Sequence, residues 1–118
     1  MIDTRQLWIA TALGTVLQLA MVVAGHFVPA VSLYFAVGGM AISAVAGLLY
    51  GRSAAGIAGA ALGGAIAGGV CALIGIAVSC ALGDVAAMVL LFGTFASAVT
   101  GLIGGIVGRI VPGVRATA

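Results

Sequence analysis

The stretch Ser53–Leu82, SAAGIAGAALGGAIAGGVCALIGIAVSCAL, decides the fold. Read in steps of four from Ala55, it runs Ala55, Gly59, Gly63, Ala67, Cys71, Gly75 and Ser79, all of them small. The adjoining column of Gly56, Ala60, Gly64, Gly68 and Ala72 is small as well, and a third holds Ala61, Ala65, Gly69 and Ala77. Only Leu62, Ile66, Val70, Ile74 and Val78 make a column of bulky branched side chains. In water, each glycine would cost a helix roughly 1 kcal/mol relative to alanine. In hydrocarbon the alternative is an unpaired backbone, which costs more, and the helix persists. Small residues four apart then let other helices approach closely. The stretch predicts a central helix pressed by neighbours on several sides.

Composition places the rest of the chain around it. Of 118 residues, 64% are hydrophobic and 5% charged, with a mean hydropathy of +1.42. A small soluble domain needs far more polar surface than this, because most of its area faces water. The apolar runs match the ~20 residues that span a hydrocarbon core. The net charge of +2 comes from four arginines and two aspartates, dispersed along the chain. That excludes a nucleic-acid footprint. Cys71 and Cys80 lie in one segment without metal-ligand spacing.

In chain order, Asp3 and Gln6 resemble a capping box at a helix start. A first span follows over Leu7–Phe27, with Trp8 placed for the interfacial aromatic belt. Val22-Val23-Ala24 fits a signal-peptide cleavage site, but the apolar run exceeds a typical signal core, and a retained span is expected. Pro29 suits the first turn of a second span over Ala30–Tyr50. Gly51 then reads as a helix stop and Ser53 as the next N-cap. The third span covers 54–82, and Gly83-Asp84 repeats the stop-and-cap pattern before a fourth over Val85–Val107. A short tail, 108–118, closes a single membrane domain. With four spans, Arg5, Arg52, Arg109 and Arg115 share one side while His26 and Asp84 share the other. This complete positive-inside bias puts both termini in the cytoplasm. A three- or five-span reading would scatter the arginines over both faces. The topology suits a bacterial inner membrane.

The second and fourth spans echo one another. Ser43-Ala44-Val45-Ala46-Gly47-Leu48-Leu49 matches Ser97-Ala98-Val99-Thr100-Gly101-Leu102-Ile103, and Gly39, Ser43, Gly47, Gly51 parallels Gly93, Ser97, Gly101, Gly105. A parallel repeat of two helices produces such a match, and so does an alanine- and glycine-rich composition.

Chemistry is sparse. No ionisable residue falls near the middle of a span, where functional charges of membrane proteins usually sit. Gln18 is the most polar side chain at depth, and it reads first as an interhelical tie. His26 reads as an interface residue, and Asp84 as an N-cap on the positive end of the fourth helix. Together with Gln18 they are the candidates for a polar path, with Ser43, Ser97 and Thr100 supplying hydroxyls. Cys71 reads as a small hydrophobe. No nucleophile–base order, zinc motif or phosphate loop is present. The size and span number resemble those of the small multidrug-resistance transporters. That family carries a glutamate in its first helix where this chain offers Gln18, so its proton-coupled exchange does not carry over. The glycine-rich spans also resemble small glycine-zipper membrane proteins.

The expectation is therefore an all-α bundle of four transmembrane helices with glycine-zipper packing. Gly39, Ser43, Gly47, Gly59, Gly63, Gly64, Gly68, Ser97, Gly101 and Gly105 would form its contacts. The third helix is expected at the centre, and the first, bulkiest one more exposed to lipid. The functional expectation is a non-catalytic structural or accessory subunit that needs no cofactor or metal. It would associate with itself or with a larger membrane complex, because four helices do not cover every small column. The alternative is a homo-oligomeric channel or small-solute transporter, and a membrane enzyme ranks last.

Overall fold

The computed structural model describes residues 2–113, which leaves Arg115 outside the described residues. Those residues form five helices and no strand: α1 (Thr4–Phe27), α2 (Pro29–Ser32), α3 (Phe35–Gly51), α4 (Ile57–Ala81) and α5 (Ala87–Ile110). Three of them, α1, α4 and α5, are long and apolar enough to cross a membrane, and α3 is apolar but shorter, at 17 residues. The particle measures 42 × 23 × 20 Å. This is the build of a small helical membrane protein.

Contacts between the elements run in alternating directions. Gln18 of α1 bonds Gly39 and Ser43 of α3, while Asp3 bonds Tyr50, so α1 and α3 are antiparallel. Gly64 meets Gly101 and Gly105, and Gly68 meets Ser97, so α4 and α5 are antiparallel too. Gly47 faces Gly101 and Gly51 faces Gly105, which makes α3 and α5 parallel. Helix α4 touches α1, α3 and α5 and carries the largest share of buried residues.

On α4, burial follows side-chain size rather than hydrophobicity. Gly63, Ala67, Cys71, Gly75 and Ser79 are buried, as are Ala60, Gly64, Gly68 and Ala72. The bulky column faces outward: Leu62, Ile66, Val70 and Ile74 are all exposed. A lipid solvent is as apolar as leucine, so nothing drives large side chains inward, and close backbone approach decides which face is buried. Helix α1 shows the same inversion. Trp8, Leu13, Val16 and Leu17 point out, while Ala10, Gly14, Gln18, Val22 and Gly25 are buried.

Several boundaries differ from the sequence reading. The second span is not one helix from Ala30 to Tyr50. It breaks at Leu33-Tyr34, between α2 and α3. Ser32 Oγ donates to Pro29 O at 2.7 Å, and Tyr34 N–H closes a short turn onto Val31 O at 3.0 Å. These local bonds compete with the helical ladder, and the Phe35 ring is laid against Gly25 at the end of α1. Gly51 stays inside α3, and Arg52 takes the C-cap position. Ser53 is not the N-cap of α4, because the turn runs on to Gly56, which takes that place. Asp84 is not the N-cap of α5 either, since Ala86 occupies it. Asp84 instead completes the end of α4, where Asp84 N–H bonds Ser79 O and Gly83 N–H bonds Cys80 O, both at 3.0 Å. That pair of bonds is a Schellman motif, and it puts Gly83 in the left-handed region at φ +80°. The capping box at Asp3 is half formed. Its side chain accepts from Gln6 N–H at 3.2 Å, while Asp3 N–H is taken by the Tyr50 hydroxyl at 2.9 Å.

Candidate functional site

The polar groups of the bundle gather at three levels, and the deepest is built on Gln18. Its amide nitrogen donates to Gly39 O at 3.0 Å and to Ser43 Oγ at 3.2 Å, with Cys71 Sγ at 3.8 Å beside it. Ser43 Oγ in turn donates to Gly68 O at 3.0 Å. The chain Gln18–Ser43–Gly68 therefore runs from α1 through α3 to α4. Two amide hydrogens and one hydroxyl hydrogen all find acceptors, as burial of such groups requires. Gln18 and Ser43 are both buried.

Glycines make this tie reachable. A Cβ on Gly75 would lie 2.9 Å from Gln18 Cβ, and one on Gly14 would lie 2.9 Å from Ala46 Cβ and 3.0 Å from Cys71 Sγ. One turn away, Gly68 sits where a Cβ would come within 2.8 Å of Gly101 Cα and 2.9 Å of Ser97 O. Those are main-chain atoms, which do not swing aside. Gly47, Gly64, Gly101 and Gly105 also press on main chain, and Gly39 lies against Gln18 and Met21. Gly63 has another role: it leaves room for the buried ring of Tyr50. Gly59 is half-buried near the start of α4.

Near the Gln18 tie is a cavity of about 60 Å³ whose lining includes Gln18, Gly39, Ser79 and Ser97. It has room for a few water molecules. Thr100 does not join it through its hydroxyl, which bonds Ser97 O at 3.0 Å within α5.

The second level is the end of the bundle opposite Arg5 and Arg52. His26 Nδ1 and Asp84 Oδ2 are 2.9 Å apart, joining the end of α1 to the α4–α5 loop. Both are partly exposed, where such a pair is worth about 0–1 kcal/mol. Gln18 belongs to the interior tie, so the three candidates for a polar path do not form one group. Cys80 lies close by, its thiol 3.6 Å from Ala86 O, and both cysteines are free. No cluster of three metal-ligating residues occurs among the described residues.

The third level is the arginine end. Arg5 and Arg52 are exposed. Arg109 Nη2 donates to Ala55 O at 3.1 Å, fastening the end of α5 to the α3–α4 turn.

The buried stripe of α1 was the feature that sequence reasoning missed. Ala10, Gly14 and Gln18 are spaced by four, the same signal as on α4, hidden by the many leucines around it. Comparison with protein-family models, with curated proteins and with solved structures found no match.

Proposed function

We propose that the chain is a four-span integral membrane protein that serves as a non-catalytic structural or accessory subunit. The observation that carries this reading is the Gln18–Ser43–Gly68 tie, in which every donor hydrogen is spent inside the bundle. The two amide hydrogens of Gln18 are committed to holding three helices together, which leaves a substrate only its carbonyl oxygen. The count of four spans rests on α2 and α3 together, which cover residues 29–51 with one tight turn. A glycine-zipper mode of packing is supported by the backbone approaches of Gly47, Gly64, Gly101 and Gly105. The parallel repeat gains support from the same place. Gly47 meets Gly101 and Gly51 meets Gly105, so residues equivalent under the echo of α3 and α5 meet each other, as they would beside a pseudo-twofold axis.

The reading puts both termini and the arginines in the cytoplasm of a bacterial inner membrane. It also includes association with further copies or with a larger membrane complex. Gly63 is not a probe of that association, because its neighbour is Tyr50 of the same chain. Outward-facing small residues such as Ala36, Ala58 and Ala77 are the ones left for it. The mass of the assembly extracted in native lipid tests the proposal. A mass containing a second protein or several copies supports it, and a bare monomer removes the subunit role.

The cavity beside Gln18 favours a second reading, a small-solute path. At about 60 Å³ it holds a few waters, and a path would have to extend through ~30 Å of hydrocarbon. Solute flux into proteoliposomes, compared for wild type and Ser97→Leu, separates the two readings.

A further inference from the structure

The Ser79 hydroxyl is a polar group that the bundle leaves unserved. It stands on the buried ladder of α4, 2% exposed, and its oxygen has no hydrogen-bond partner among the described residues. Helical serines and threonines commonly bond back to a carbonyl three or four residues earlier, as Thr100 bonds Ser97 O in α5. Ser79 instead lines the cavity of about 60 Å³ that it shares with Gln18, Ala72 and Ser97. The hydroxyls of Thr15 and Thr94 also lack partners, but neither residue is fully buried or borders this cavity. The Gln18 carbonyl lies close by. A Cβ on Gly75 would be 3.4 Å from Gln18 Oε1, and one on Gly39 would be 3.5 Å from it. Gly75 precedes Ser79 by one turn, ~5.4 Å along α4.

The cavity opens at one end and stops at the other. Ala36 and Val89, at the starts of α3 and α5, line it and are exposed, which puts its mouth toward the His26–Asp84 end. Toward the arginine end the helices close up. A Cβ on Gly68 would lie 2.8 Å from Gly101 Cα, 2.9 Å from Ser97 O and 3.0 Å from Ser43 O. Between α1, α3 and α4, Gly14 is met by Ala46 and Cys71 in the same way.

We propose that this blind pocket is a water-binding site, in which one molecule bridges Ser79 Oγ and Gln18 Oε1 and so links α1 to α4. Water occupies ~30 Å³ per molecule in the liquid, so the cavity accommodates about two. Two hydrogen bonds through one water oxygen reach ~5.5 Å, about one helical turn. The Gln18 carbonyl only accepts, while the Ser79 hydroxyl donates or accepts. A bridging water gives one hydrogen to Gln18 and meets Ser79 in either sense. The second water finds the Ser97 side chain on the α5 wall. No charged side chain lines the pocket, so neither a cation nor an anion would be compensated in it. The water takes up the bonding capacity that the three-helix tie leaves over. A blind pocket needs no path across the membrane, and its hydration is separate from any solute flux.

Nuclear magnetic resonance of the full chain in micelles, with isotope-labelled glutamine side-chain amides, tests the site. The sequence has two glutamines, Gln6 and Gln18, which keeps the spectrum simple. Cross-relaxation between water and the Gln18 amide should carry opposite signs in laboratory-frame and rotating-frame spectra. That is the signature of a held water rather than of hydrogen exchange. Gln6, near the bundle end, should show no such pair of signals. Ser79→Val replaces the hydroxyl with methyl groups that enter the cavity, and should abolish the Gln18 signal to water. Ser79→Thr keeps a hydroxyl and should retain it. Ser43→Ala should retain it too, since it removes only the hydroxyl that Gln18 itself touches, and with it any relayed transfer. A Gln18 amide silent to water in the wild type, a signal that survives Ser79→Val, or one lost in Ser43→Ala would each overturn the bridge. If Ser79→Val loses its helical circular dichroism, xenon pressure on the wild type decides. A dry pocket takes up xenon and shifts the Gln18 signals, which would overturn the site, whereas a water-filled one leaves them in place.

Discussion

At the scale of single residues, what matters is which atoms a side chain leaves alone. Gln18→Leu would strand Gly39 O and the Ser43 hydroxyl, which now receive its amide hydrogens. The expected loss is about 1–2 kcal/mol, since interhelical hydrogen bonds in membranes are worth about 0.6 to 2. Unfolding in mixed micelles measures it. Ser43→Ala breaks the same chain, so the double variant should lose less than the sum of the singles. The glycines divide by what stands beside them. Gly64→Ala drives a methyl group toward the main chain of Gly101 and Gly105, which do not yield, and should cost about 1–3 kcal/mol. Gly56→Ala meets nothing within 4 Å and needs no left-handed backbone, so it should be neutral in the same assay. Gly83→Ala also has open space but sits at φ +80°, and should cost about 1 kcal/mol through backbone strain alone. Equal effects at Gly56 and Gly64 would refute the assignment of their contacts.

At the scale of elements, how much the sequence revealed depends on which force ends or faces a helix. The small columns of α4 were legible because one rule, close approach of small residues, governs burial when the solvent is lipid. Its exposed bulky column, Leu62 to Ile74, follows from the same rule read backwards. The break at Leu33-Tyr34 was not legible. It depends on Ser32 bonding back to Pro29 and on Phe35 lying on Gly25, and that second contact is tertiary. The caps failed for a similar reason. Ser53 and Asp84 are good capping residues, but the α3–α4 turn is drawn toward the end of α5 by Arg109 on Ala55 O, and Asp84 is drawn to His26. Of the candidate site, Gln18 was legible because it is the lone amide at depth. Its partners were not, since Gly39 O and Gly68 O are main-chain atoms that no side-chain pattern announces. One prediction belongs to this scale. Gly101→Leu should separate α5 from both α3 and α4, because its neighbours include the main chains of Gly47, Gly64 and Gly68. Cross-linking between α4 and α5 through cysteines introduced at Gly69 and Ala98, where a Cβ on Gly69 lies 3.2 Å from Ala98 Cβ, should then fall sharply from its level with Gly101 intact.

At the scale of the molecule, the up–down–up–down course of α1, α3, α4 and α5 gives the bundle two chemically different ends. One carries Arg5, Arg52 and Arg109, and the other carries the His26–Asp84 pair and Cys80. A lipid bilayer is the solvent that makes sense of bulky side chains outside and glycine inside. The central proposal is that the chain spans that bilayer four times, with the arginine end in the cytoplasm. The measurement that tests it most directly is labelling by a membrane-impermeant maleimide, after Cys71 and Cys80 are replaced by alanine. Single cysteines are introduced at Ala55, in the arginine-end turn, and at Leu82, in the opposite one; both positions are exposed. Labelling of Leu82→Cys from outside intact cells, with Ala55→Cys reached only in inside-out membranes, is the predicted result. Labelling of both from the same side would contradict the four-span account.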